Sequence, residues 1–113
     1  MYKTAAMKVK SRIWIEVDGT PFLGNGRIQL LKAVNQTHSM SSAAKSLNMS
    51  YKKAWRMLNE INASAKEPVL DKKIGGKDGG GTHLTPYGEE LILRFENLNA
   101  ACITFLEDEF KKW

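Results

Sequence analysis

Cysteine, histidine and proline are scarce in this sequence: 113 residues hold one Cys, two His and three Pro. A lone Cys102 allows no intrachain disulfide, which points to a reducing, cytoplasmic setting. His38, His83 and Cys102 are far apart along the chain and lack metal-ligand spacing, so no metal site is expected. Cys102 reads as a small core or interface residue. No apolar run approaches the roughly 18–20 residues of a membrane span. Met1–Lys10 lacks the apolar stretch of a secretory signal, so no membrane role is expected. No Ser/His/Asp or Cys/His set supports catalysis, and no cofactor is implied. The length fits a single domain, 1–113, able to bury its own core. An apolar share of 42% argues against disorder.

Acidic residues are scarce in one part of the chain only. Residues 1–85 carry 14 Lys+Arg and 6 Asp+Glu, whereas residues 86–113 carry 3 and 6. A basic body with an acidic tail segment suggests that the body meets a polyanion.

The pattern predicts a mainly α fold with small β elements. Ile13, Ile15 and Val17 alternate ahead of Asp18-Gly19, a tight-turn pair, so residues 10–23 read as a β-hairpin with Pro21 on an edge. Ile28, Leu30, Leu31 and Val34 form the apolar stripe of a helix over about 25–36. Ser41 reads as an N-cap, with Ala43, Ala44 and Leu47 following at helical spacing. Asn48 can close that short helix in a left-handed conformation. Ser50 caps the next helix, in which Ala54, Trp55, Leu58 and Ile61 form the expected core face. Two helices joined so tightly across 41–66 must cross sharply, as in a helix-turn-helix.

Opposite that core face stand Lys52, Lys53, Arg56 and Asn59. Cap hydroxyls of Ser41 and Ser50, unpaired N–H groups and cationic side chains suit phosphate, and Lys, Arg and Asn can read base edges. Tyr51 either stacks on the sugar–phosphate backbone or packs against the preceding helix.

Pro68 stops the second helix, and residues 69–84 read as a hairpin whose tip, 75–81, holds five of the nine glycines. A phosphate-binding loop is excluded, because Asp71 stands where it needs Gly and Asp78 where it needs Ser or Thr. The hairpin instead reads as a wing, with Lys72, Lys73 and Lys77 against phosphates. Thr85-Pro86 then starts a helix over 86–113. It carries two apolar lines: Leu91, Phe95, Leu98, Cys102 and Phe105, and Ile92, Ile103, Leu106 and Phe110. One can face the core and the other a second chain.

The run Ser39-Met40-Ser41-Ser42-Ala43-Ala44-Lys45-Ser46-Leu47-Asn48-Met49-Ser50 resembles the helix-turn-helix of LysR-type and ModE-type regulators. Ser50-Tyr51-Lys52-Lys53-Ala54-Trp55 is similar to the start of the ModE recognition helix. Gly75-Gly76-Lys77, Gly79-Gly80-Gly81 and Leu84-Thr85-Pro86-Tyr87-Gly88-Glu89 resemble that family's wing and following helix. The resemblance implies a winged helix-turn-helix that binds double-stranded DNA as a homodimer, with the long last helix in the dimer. The expected interface draws on Leu91, Phe95, Leu98, Cys102, Phe105, Leu106 and Phe110. Half-sites would lie about one helical turn apart. ModE proteins carry molybdate-binding domains after this one, and the 113 residues do not contain them. Molybdate binding is therefore not expected to carry over. The rival expectations are a protein-interaction module on the same scaffold and an enzyme or small-molecule binder in a dimer groove.

Overall fold

The computed structural model describes residues 6–73 and 81–113. Chain order is β1 (Trp14–Val17), β2 (Thr20–Gly24), α1 (Asn25–Thr37), α2 (Met40–Ser46), α3 (Tyr51–Ser64), β3 (Leu70–Lys73), β4 (Gly81–Leu84) and α4 (Pro86–Phe110).

β1 and β2 pair antiparallel across Asp18 and Gly19, whose φ values of 50° and 78° are those a right-twisted two-residue turn requires. The paired region is shorter than the expected 10–23, and a bulge between Ile15 and Glu16 accommodates Pro21. Phe22 and Leu23 turn inward onto α1.

α1 is the centre of the core. Ile28, Leu30, Leu31 and Val34 are essentially inaccessible, so the helix is covered on nearly every side. Around it pack Met40, Ala43 and Ala44 of α2, Ala54, Leu58 and Ile61 of α3, and Leu91, Ile92 and Phe95 of α4. α1 ends on His38 in the left-handed conformation, φ 55°, with its N–H returning to the Val34 carbonyl.

The short second helix begins two residues earlier than its sequence suggests. Ser39 is the N-cap, its hydroxyl accepting from the Ser42 N–H at 3.1 Å. Ser41 lies exposed in the first turn and caps nothing. Met40 explains the shift, because as the first helical residue it is buried in the core. Asn48 does take the left-handed conformation, φ 53°, and Ser50 caps α3 by accepting from the Lys53 N–H.

β3 and β4 pair antiparallel from Leu70↔Leu84 to Lys73↔Gly81. Thr82 and Leu84 turn inward, while Gly81 and His83 sit on the outer side. The intervening tip, with Lys77, lies outside the described residues. α4 starts on the Thr85 cap with Pro86 in its first turn, as the residue types dictate, and ends at Phe110. Its first half closes the core. Its second half runs on past the core, which gives the molecule its 68 × 30 × 22 Å extents. Two helices, a turn, a third helix and a hairpin in this order form a winged helix-turn-helix.

Gly88 sits where α4 crosses the root of that hairpin. A Cβ there would lie 2.5 Å from the Val69 carbonyl oxygen. Gly88→Ala should therefore destabilise the fold by about 1–3 kcal/mol, the usual cost of overpacking. Urea denaturation checks this through a lowered midpoint with an unchanged slope.

Candidate nucleic-acid interface

α3 divides cleanly into two faces. Ala54, Leu58 and Ile61 repeat at helical spacing and are buried against α1 and α2, whereas Lys52, Lys53, Arg56 and Asn59 all face solvent. Among the described residues none of these cations pairs with a carboxylate. Arg27 and Lys32, by contrast, bridge elements of the core: Arg27 holds Glu60 of α3 at 2.7 Å, and Lys32 holds Glu96 of α4 at 2.8 Å. The unpaired part of the basic excess therefore includes one end of one helix.

That end has a defined shape. Ser50, Lys52, Lys53, Trp55 and Arg56 line a shallow open depression. The sequence places Trp55 in the core; the structure leaves it 46% exposed, with Tyr51 one turn earlier at 55%. The helical geometry accounts for the difference. Trp55 is rotated about 100° from Ala54, on the flank it shares with Tyr51. Tyr51 is likewise more than half exposed.

The hairpin root is tied to α3 and to α1 by hydrogen bonds that residue types alone do not announce. Asn62 Oδ1, one turn from the end of α3, accepts from the N–H groups of Val69 and Leu70 at 2.7 and 3.1 Å. His38 and His83, 45 residues apart, come together with their Nδ1 atoms 2.9 Å apart, one imidazole donating to the other. The Thr82 N–H also donates to the His38 carbonyl. Gly81 passes so close to that carbonyl that a Cβ would lie 2.7 Å from it. The two histidines, unconnected in sequence, thus latch β4 to the end of α1. Lys72 and Lys73 lie in β3, on the strand that leads to the tip.

The expected pairing face of α4 is split by the structure. Leu91 and Phe95 are buried in the chain's own core, which removes them from any surface. Leu98 and Phe105 are exposed, as are Leu93 and Ile103. Cys102, Leu106 and Phe110 are half-buried. Residues 7–11 lie alongside this distal half, sharing shallow clefts with Ile103, Leu106 and Phe110.

Among the described residues no group of three or more His, Cys, Asp or Glu could hold a metal. No helix there is long and apolar enough to cross a membrane.

A capped helix pair with a basic, solvent-facing second helix, flanked by a hairpin pinned to both neighbouring helices, defines a winged helix-turn-helix protein. Residues 26–89 match the model of the bacterial regulatory helix-turn-helix protein, lysR family, and the chain belongs to that family of transcriptional regulators. It is 38% identical over 92 residues to the transcriptional regulator ModE of Yersinia pestis, covering 81% of this chain and 35% of the relative. It is 39% identical over 84 residues to the transcriptional regulator ModE of Haemophilus influenzae, covering 74% and 33%. The chain thus spans about a third of the length of these curated relatives. A crystal structure of a LysR family transcriptional regulator shares the fold, with a TM-score of 0.55 at 18% identity over 74% of this chain and 27% of that one.

The Asn62 contacts give a direct check on how the hairpin is held. Asn62→Ala strands the N–H of the fully buried Val69. It should cost about 1–3 kcal/mol, the penalty for an unsatisfied buried donor. Amide hydrogen exchange should also show faster exchange at Leu70 and across β3–β4 than in the parent.

Proposed function

We propose that the chain is a sequence-specific transcriptional regulator acting as a homodimer, with α3 in the major groove and the glycine-rich hairpin along the backbone. The observation that carries this reading is the exposed cluster of Lys52, Lys53 and Arg56 on a capped helix of a helix-turn-helix. Its lysines neutralise phosphates and orient the helix, while Arg56 and Asn59 reach base edges. Lys72, Lys73 and Lys77 add phosphate contacts from the wing; at its root, Val69 is tied to α3 through Asn62 and His83 to α1 through His38. The names of the two ModE relatives support a role in transcription.

Dimerisation is supported by the distal half of α4, where Leu98, Ile103 and Phe105 are exposed on a helix that has left the core. An isolated apolar helix face of this kind is stabilised when a second copy covers it. Cys102, Leu106 and Phe110 would complete that face. A two-fold dimer then favours an operator of approximate two-fold symmetry.

Selection of bound sequences from a random duplex pool should return a symmetric motif. Absence of enrichment would contradict this reading and favour a protein-interaction module. On the enriched duplex, Arg56→Ala should cost about 1–3 kcal/mol and relax preference at one position per half-site. Lys77→Ala should weaken binding to all duplexes alike and reduce the salt slope by about 1. Binding titrations across a salt series separate the two effects. Phe105→Asp should shift the chain toward monomer in sedimentation equilibrium without lowering its helix content.

A further inference from the structure

Trp55 is a large aromatic side chain that the fold itself does not use. The core face of α3 closes without it, through Ala54, Leu58 and Ile61 at 0%, 1% and 0% exposure. Trp55 stands outside that face at 46% exposure, one turn beyond the exposed Tyr51. It forms the apolar wall of the depression whose other walls are Ser50, Lys52, Lys53 and Arg56. Among the described residues, no acidic one lines this depression.

Its occupant must therefore satisfy two demands at once. The cations call for an anionic partner, and the indole calls for an apolar group within that partner. A free anion leaves the indole uncovered. An apolar protein surface leaves the lysines and the arginine desolvated without counter-charge. The major groove of DNA offers phosphates at its edges and one apolar group on its floor, the thymine C5-methyl. Trp55 and Arg56 line the same depression, so an arginine contacting one base edge leaves the indole within reach of a neighbouring step.

We propose that Trp55 is a specificity-determining residue that recognises a thymine methyl in the major groove. This rests on the reading of α3 as the DNA-reading helix. The contact needs no hydrogen bond: the methyl leaves water against the indole, while Lys52, Lys53 and Arg56 hold the duplex in register.

The test uses the duplex most enriched by the intact chain from the random pool. Each thymine is replaced in turn by deoxyuridine, which removes only the C5-methyl. For the parent chain, one thymine per half-site should be sensitive, with affinity falling about fourfold, the value of one buried methyl. Trp55→Ala should bind the thymine duplex more weakly and bind the thymine and deoxyuridine forms equally. Trp55→Phe should retain part of the distinction, and Lys77→Ala, which weakens binding to all duplexes alike, should retain it in full. Thermal melting checks that the Trp55 variants fold like the parent, as an exposed position allows. If Trp55→Ala keeps the parental thymine-to-deoxyuridine ratio, or if no thymine is sensitive, the Trp55 assignment is overturned while α3 stands as the reading helix. If no duplex is enriched at all, the assignment of α3 fails and the inference falls with it.

Discussion

The Val69 carbonyl accepts the Thr85 N–H at 3.0 Å and leaves no room for a Cβ on Gly88, while the Val69 N–H donates to Asn62 at 2.7 Å. The end of α3, the root of the wing and the start of α4 therefore meet around one fully buried residue. Thr85 adds to the junction, its hydroxyl donating to the Pro68 carbonyl and accepting from the Gly88 N–H that caps α4. With these contacts closed, the wing cannot swing relative to α3 without breaking hydrogen bonds at buried groups. A DNA-reading helix and a backbone-following hairpin need that fixed relation, because phosphate contacts set the register in which base edges are met.

The second constraint is electrostatic. Arg27 and Lys32 are drawn into pairs with Glu60 and Glu96, holding α1 against α3 and α4. Such partly exposed pairs contribute little stability on their own. Their larger effect is on where unpaired charge remains. Lys52, Lys53 and Arg56 share the outer side of α3 near its N-terminus, where the helix dipole adds to their field. At the distal end of α4 the charges are paired instead, Asp108 with Lys111 and Glu109 with Lys112.

Much of the architecture was legible in the residues because local rules govern it. Asp18-Gly19, Asn48, Ser50 and Thr85-Pro86 each act through their own backbone or the next turn, and each behaves as its type predicts. Ser39 displaced Ser41 as a cap because burying Met40 outweighs the choice between two serines that lie two residues apart and are equal in chemistry. Trp55 was expected inward because it shares helical spacing with Leu58, but it stands about 100° from Ala54 and falls on the exposed flank with Tyr51. The basic face of α3 was readable for the same reason, as the complement of a clear apolar stripe. The His38–His83 latch, the Asn62 anchor and the burial of Leu91 and Phe95 were not readable, since each depends on where distant segments pack.

On the proposed reading, the outer face of α3, held in register with β3 and β4, is the surface that meets DNA. Amide chemical-shift mapping by NMR during titration with the enriched duplex tests this most directly. The account predicts the largest perturbations at residues 50–59, with a second set along β3 and β4, and little change in the distal half of α4. Perturbations centred on residues 98–110, with α3 unmoved, would contradict it.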